Sequence, residues 1–178
     1  SSSLYVAWNY LLMPYQQKRI ITLFNPESDP LGSGYHIMQS KIAIGSGGLT
    51  GKGLNQGSQS QLNFVPESST DFIFSVLAEE TGFIGVLFLL FIYLLIIYRC
   101  MDLSMRCEDN FSRLLGASLT FIFFTYVFVN IAMVSGLLPV VGVPLPLISY
   151  GGSSLLTLMT SLGIIMSIYK HKTPRYIK

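Results

Sequence analysis

The sequence is poor in charge: Asp, Glu, Lys and Arg make up 11% of its 178 residues, and hydrophobic residues make up 51%. A soluble domain carries about 25% charged residues, so this composition excludes an ordinary soluble domain. The formal net charge is only +2, which gives no indication of a nucleic-acid partner. The composition therefore predicts a protein that lies in lipid.

Cysteine and histidine are also scarce, with two residues of each. Cys100 and Cys107 fall in a connection that we predict below to be cytoplasmic, where thiols stay reduced, so we expect free thiols. His36 and His171 lie far along the chain from both cysteines. We therefore predict no metal site built from these residues.

Three apolar segments are long enough to cross a bilayer, which needs about 20 helical residues at roughly 1.5 Å each. They cover residues 72–98, 114–135 and 153–169. Residues 4–14 are apolar but shorter, and we expect them to be the outer end of a span that begins before this sequence, as in a fragment of a longer protein. The predicted fold class is thus an all-α polytopic membrane protein, with residues 1–178 forming a single membrane domain fragment of three complete transmembrane helices plus the end of a fourth.

The distribution of basic residues predicts the orientation of the spans. Three arginines follow the first span and four basic residues occupy the tail, 170–178, whereas residues 136–152 contain no Lys or Arg. The positive-inside rule places residues 99–113 and the tail in the cytoplasm. Residues 15–71 then form a long extracytoplasmic loop, whose four basic residues are tolerable because long loops translocate largely regardless of charge.

Within that loop, residues 34–44 place Tyr35, Met38 and Ile42 at helical spacing among polar residues. This pattern predicts a short amphipathic helix on the outer membrane surface. The glycine-rich segment that follows, 45–61, is predicted to be flexible.

Asp71 is the first candidate for chemistry, because it precedes an apolar helix at the outer face. Partial desolvation there can raise the pKa of a carboxyl group above its usual value of about 3.9, which suits a general base acting on a sugar hydroxyl. The pattern Ser68-x-x-Asp71 is also typical of a helix cap, and the spacing alone favours the cap. Both roles are compatible.

Glu79 and Glu80 lie one to two turns deeper. An acidic residue at the centre of a membrane helix costs roughly 2.5–3.5 kcal/mol, so such residues face a protein interior or a cavity. We predict supporting or pairing roles for both rather than direct catalysis.

Residues 45–53 superficially resemble a phosphate loop, but Gly53 occupies the position that requires Ser or Thr, so we reject that motif. Backbone amides, Lys52 and Lys41 could instead meet a pyrophosphate headgroup at the membrane surface. Gln39, on the predicted amphipathic helix, completes the predicted substrate-binding set. A flexible loop with ordinary surface lysines is an equally good interpretation.

The outer connection, 136–154, combines three prolines with apolar residues. Prolines prevent a regular helix, and so apolar a segment must pack against protein or line a cavity. We predict that it supports the cavity, with Ser149 and Tyr150 as supporting residues. Ser153 or Ser154 is expected to cap the last span.

Four runs of the sequence carry a specific resemblance to the SEDS family that covers nearly the whole chain: PYQQKRI, GYHIMQSKIAIGSGGLTGKG, PESSTDFIFSVLAEETGFIG and GLLPVVGVPLPLISYGGSS. Around the GSGG stretch the chain is closer to the family's cell-elongation branch than to its division branch. The resemblance implies about ten spans, of which this chain would hold the last three and part of another.

The resemblance also implies an activity, the polymerisation of lipid II into peptidoglycan glycan strands for elongation and rod shape in the bacterial inner membrane. It implies that Asp71, in the TDFIF motif, is the essential residue, and that cationic groups or a divalent cation offset charge on the pyrophosphate. The implied partners are a class B penicillin-binding protein, which cross-links the strands, and elongation-complex membrane proteins. The first half of the family's sequence is missing, so we expect this fragment alone to be inactive.

Two other functions fit the same residues. A lipid II flippase would also use a polar cavity with intramembrane glutamates, and a non-catalytic scaffold could recruit the penicillin-binding protein. The enzyme is favoured because the charged residues within the spans cluster near the outer end, whereas a flippase needs polar groups across the full membrane depth.

Overall fold

The computed structural model describes residues 13–25, 32–53, 56–57 and 70–170, and regular structure in these ranges is entirely helical. Five helices follow in chain order: α1 (Pro14–Phe24), α2 (Ser33–Ser46), α3 (Ile73–Met105), α4 (Asn110–Val134) and α5 (Gly152–Lys170). Helices α3, α4 and α5 are long and apolar enough to cross a membrane. The predicted all-α architecture with three spans is confirmed. The predicted end of a further span, 4–14, lies almost wholly outside the described residues.

Helices α3 and α4 form an antiparallel hairpin that is the centre of the fold. The Tyr93 and Phe123 rings meet edge to face at 6.1 Å between centroids. A Cβ on Gly116 would overlap the Ser104 hydroxyl, so glycine permits the close approach of the two helices there. Both cysteines, Cys100 and Cys107, are buried free thiols, as expected.

Helix α1 was not predicted, although its start carries a recognisable signal. Pro14 occupies the first helical position, where a missing N–H costs nothing, and the Gln16 side chain accepts a hydrogen bond from the Met13 N–H at 3.0 Å. The Arg19 guanidinium donates to the Val140 carbonyl. The first part of the predicted loop is therefore a helix tied to the outer connection.

Helix α2 forms where an amphipathic helix was predicted, but it packs on the bundle with a different face. Ile37, Ser40 and Ala43 are buried, whereas Met38 and Ile42 are exposed. The Ser40 hydroxyl donates to the Val134 carbonyl at the end of α4, at 2.8 Å. Helix α2 is thus fixed to the bundle by a polar contact as well as by apolar packing.

Helix α3 is broken at Gly82, inside the segment that was predicted as one span. Gly82 has φ 67° and ψ −165°, a conformation that is essentially restricted to glycine. The break removes backbone hydrogen bonds that a regular helix would make across this position. Irregular backbone is tolerated at membrane depth only where protein groups or a cavity replace those bonds.

The segment 47–53, which we call the docking segment, supplies the replacement bonds. The Phe83 and Ile84 amides donate to the Gly48 and Leu49 carbonyls at 2.9 and 3.2 Å. In the opposite direction, the Lys52 and Gly53 amides donate to the Glu79 and Glu80 carbonyls, both at 3.0 Å. The prediction of a flexible segment over 45–61 was therefore wrong for these residues.

The last helix also begins earlier than predicted. Helix α5 starts at Gly152, so Ser153 and Ser154 lie inside its first turn rather than at the capping position. The Ser154 hydroxyl donates to the Gly151 carbonyl at 2.9 Å. The predicted cap was wrong because a capping residue stands just before the first helical residue, and Gly152 already begins the helix.

Candidate active site

Asp71 lies in a turn of residues 70–72 that leads into α3. The N-cap position of α3 is Phe72, one residue later than a cap by Asp71 requires, and no side chain caps it. Ser68, the other residue of the predicted capping pattern, lies outside the described residues. The geometry therefore places Asp71 beside the helix start rather than at the capping position.

Two polar side chains hold the backbone of this turn from neighbouring elements. The Asn130 side-chain amide, on α4, donates to the Asp71 carbonyl at 2.9 Å. The Ser149 hydroxyl, in the outer connection, donates to the Thr70 carbonyl at 2.6 Å and accepts from the Leu145 N–H at 2.7 Å. Both bonds reach the main chain, so they position the turn without using the Asp71 carboxylate.

The Asp71 side chain lines a cavity of about 670 Å³ between the start of α3, α4 and α5. This volume lies within the roughly 300–1,000 Å³ typical of small-molecule sites. Its wall is formed by Thr70, Asp71, Ile122, Tyr126, Pro144, Tyr150, Gly151, Ser153, Ser154, Thr157, Leu158 and Ser161.

Hydroxyl groups dominate the polar part of this wall. Ser153, Thr157 and Ser161 recur every four residues and form a row along one face of α5. The Thr157 and Ser161 hydroxyls donate to the carbonyls four residues earlier, at 2.9 and 2.8 Å. A hydroxyl that donates its proton retains acceptor lone pairs, so the row can accept hydrogen bonds from a hydroxylated ligand.

The structure brings only some of the predicted site residues together. Asp71 and Tyr150 both line the cavity, and Tyr150 is strongly exposed, with 83% of its surface accessible. Ser149 does not line the cavity, and its hydroxyl holds the turn of residues 70–72 through the Thr70 carbonyl. Glu79, Glu80 and Lys52 lie instead at the break in α3.

At that break, Glu79 is fully buried and its carboxylate pairs with the Lys52 ammonium at 2.7 Å. The Ser46 hydroxyl donates to the same carboxylate oxygen at 3.4 Å. Glu80 contributes its backbone carbonyl to the docking segment. Lys52 is therefore engaged in fixing the docking segment, and its predicted substrate role stays a prediction.

Lys52→Met is expected to destabilise the protein by about 2 kcal/mol, because it leaves the Glu79 charge in a buried site without this ammonium. Adding Glu79→Gln should recover about 1 kcal/mol of that loss, since a neutral amide needs no counter-charge. Thermal unfolding of the full-length protein in detergent measures both effects. Arg99→Met is the matched control, because it breaks an exposed pair with Asp102 and should cost at most about 1 kcal/mol. Equal losses of stability in Arg99→Met and in Lys52→Met would contradict the stabilising role of the buried pair between Lys52 and Glu79.

The remaining two predicted binding residues, Lys41 and Gln39, lie on α2. Lys41 is exposed and its side chain passes against Gly136, just after α4, while Gln39 is half-buried. Neither lines the cavity around Asp71. Their predicted contact with a substrate headgroup also stays a prediction.

Sequence reasoning missed Asn130, which the structure places directly behind Asp71. The signal was available: Asn130 is an amide within the apolar run from Val127 to Val134, near the end of a membrane helix. Polar residues in such positions usually face a protein interior.

Among the described residues, no three His, Cys, Asp or Glu side chains lie close enough together to hold a metal ion. The cavity around Asp71 offers this one carboxylate and several hydroxyl groups, and the possible divalent cation stays a prediction.

The chain belongs to the SEDS family, because the family model described as "cell cycle protein" (FtsW/RodA/SpoVE) matches residues 2–174. It is 59% identical over 167 residues to the peptidoglycan glycosyltransferase MrdB of Escherichia coli, covering 94% of this chain and 45% of that protein. It is 46% identical over 158 residues to the peptidoglycan glycosyltransferase RodA of Treponema pallidum, covering 89% and 36%. The chain thus spans less than half the length of these relatives.

Two solved structures share the fold. One, described under the words "structural coordination of polymerization and crosslinking by a peptidoglycan synthase complex", has a TM-score of 0.76 and 31% identity, covering 97% of this chain and 47% of that one. The other is the rod shape-determining protein RodA of Thermus thermophilus, with a TM-score of 0.56 and 26% identity, covering 96% and 62%. Family and fold together establish a multi-pass membrane protein.

Proposed function

We propose that the full-length protein is a peptidoglycan glycosyltransferase that polymerises lipid II into glycan strands for cell elongation and rod shape. One observation carries this proposal: a carboxylate, Asp71, lines a hydroxyl-rich cavity whose size suits sugar units. The relatives named as peptidoglycan glycosyltransferases support it. Since the chain covers less than half of them, the fragment alone is expected to be inactive.

In the proposed mechanism, Asp71 removes the proton from the acceptor sugar hydroxyl. The resulting oxygen nucleophile attacks the anomeric carbon of the donor, and the bond from that carbon to the polyprenyl pyrophosphate breaks. The hydroxyl row on α5 orients the sugars by accepting hydrogen bonds from them. Lys41, Lys52 and Gln39 remain candidates for contact with the pyrophosphate, and we propose that any divalent cation in the reaction arrives bound to that leaving group.

We place the protein in the bacterial inner membrane with its C-terminus in the cytoplasm, following its basic residues. We further propose a class B penicillin-binding protein as its partner, together with elongation-complex membrane proteins. The structural relative from a peptidoglycan synthase complex supports the first of these partners.

The alternative of a lipid II flippase receives less support from the cavity. Its hydroxyl row runs from Ser153 to Ser161, which is about 12 Å along a helix. A path for a headgroup must cross roughly 30 Å of hydrocarbon. The polar wall thus ends well inside the membrane, as expected for a site that opens on one side.

The test uses the full-length protein with its class B partner in vesicles that contain fluorescent lipid II. Formation of glycan strands is followed by gel, in the presence of an inhibitor of soluble-domain polymerases, and transfer of lipid II between leaflets is followed in parallel. We expect strands. Transfer between leaflets without strands would establish the flippase instead. If the protein showed neither activity, the scaffold would be the remaining function.

A further inference from the structure

We propose that Asn130 is a positioning residue for Asp71: it sets the orientation of the carboxylate by holding the backbone from which that carboxylate projects. This inference rests on the proposed function, because it assigns Asn130 a part in the same reaction. Asn130 does not line the cavity, so it is not proposed to touch the substrate.

The contacts of Asn130 join three separate parts of the chain. Its side-chain nitrogen donates one hydrogen bond to the Asp71 carbonyl at 2.9 Å and a second to the Val143 carbonyl at 2.6 Å. Asp71 is 59 residues distant along the sequence and Val143 is 13 residues distant. One planar amide on α4 therefore fixes the turn before α3 and the outer connection relative to each other.

The burial of Asn130 carries a cost in free energy, which its two N–H bonds offset. Asn130 is fully buried, and within the described residues its side-chain oxygen has no hydrogen-bond partner. A buried polar atom left without a partner costs about 1–3 kcal/mol. The two directed N–H bonds account for an asparagine here despite that cost, because an apolar residue could make neither the bond to the Asp71 carbonyl nor the bond to the Val143 carbonyl.

The place of Asp71 in the fold makes such a support necessary. Asp71 precedes the first residue of α3, so the hydrogen bonds of the helix do not hold it rigidly. Ser149 fixes the preceding residue, Thr70, and Asn130 fixes Asp71 itself. A displacement of about 1 Å at a catalytic group can lower a rate by roughly 10²-fold.

The test replaces Asn130 with leucine in the full-length protein with its class B partner. Asn130→Leu keeps the branched shape and the number of side-chain heavy atoms and removes both donors, so kcat for lipid II polymerisation should fall about 100-fold while KM changes less than about 3-fold. The acid limb of the pH–rate profile should also move, because it reports the pKa of the essential base, and a residue that only supports folding would leave it in place.

The matched control is Thr120→Val. Thr120 is buried on the same helix and its hydroxyl donates to the Gly116 carbonyl within α4. This variant should keep kcat within about 2-fold of wild type. A second variant, Asn130→Ser, retains a single donor and keeps the proposal testable if the leucine variant misfolds. Its kcat should lie between those of Asn130→Leu and wild type.

The outcomes separate the two proposals. Full activity of Asn130→Leu beside an inactive Asp71→Asn would overturn the role of Asn130 and leave the proposed function standing. If both Asn130 variants were lost from the membrane while Thr120→Val remained stable, Asn130 would serve folding, and its role as a positioning residue would also be overturned. A wild-type protein that makes no strands would remove the proposed function and this role with it.

Discussion

Asp71→Asn in the full-length protein is expected to lower the rate of lipid II polymerisation by about 10³-fold, within the range of roughly 10²–10⁴ for loss of a general base. The asparagine side chain has nearly the same shape, so the cavity and the turn held by Asn130 should persist. A neutral amide cannot take the proton of the acceptor hydroxyl, which is the step assigned to Asp71. Strand formation by the purified protein with its class B partner measures the effect.

The control for this prediction is Asp102→Asn, which changes the same kind of residue at the opposite end of α3. Asp102 pairs with Arg99 at 3.2 Å and with Arg106 at 2.9 Å on the protein surface. Its replacement should alter the rate less than about 2-fold, because exposed pairs contribute at most about 1 kcal/mol. If Asp71→Asn polymerised as fast as this control, Asp71 would not be the base.

Gly82→Ala is expected to have the largest effect on stability, a loss of about 3 kcal/mol. Alanine strongly disfavours φ 67° with ψ −165°, and its Cβ would overlap the Gly51 nitrogen and the Leu49 carbonyl of the docking segment. Relief of either strain requires the docking segment to leave the break in α3. The midpoint of thermal unfolding of the full-length protein should fall by several degrees.

Gly45→Ala provides the comparison, since Gly45 lies on α2 and a Cβ there meets nothing within 4 Å. In a helix, alanine is favoured over glycine by about 1 kcal/mol, so this variant should be as stable as wild type or more stable. If Gly82→Ala had the same unfolding midpoint as wild type, the docking segment would not occupy the break in α3 as described.

The spans could be predicted from the sequence because their signal is local. Long uncharged runs, such as that between Gly82 and Tyr98, need no knowledge of their neighbours to indicate a helix in lipid. The break in α3 could not be predicted in the same way. It depends on backbone bonds between the docking segment and residues about thirty positions later, and glycine within a helical pattern does not by itself indicate such a break.

The same difference holds at the site. Asp71 could be identified because a carboxylate just before an apolar helix is unusual. The resemblance to the SEDS family then implied that this residue is essential. The pairing of Glu79 with Lys52 was harder to anticipate, since a flexible loop was an equally good interpretation of the glycine-rich segment. Asn130 donates to two main-chain carbonyls. Every residue has such a carbonyl, so the sequence does not reveal which residues are its partners.

The break at Gly82 determines where Asp71 lies along α4. In the α3–α4 hairpin, Ser104 lies against Gly116 and Tyr93 lies beside Phe123, so Gly82 is level with the end of α4 near Val134. A straight α3 would carry Asp71 about 16 Å beyond that level. Asp71 instead contacts Asn130, a full turn before the end of α4. The broken helix therefore folds back over the bundle and keeps Asp71 level with the last turns of α4. For the proposed polymerase, this geometry holds the base within reach of a substrate that stays anchored in the membrane by its polyprenyl chain.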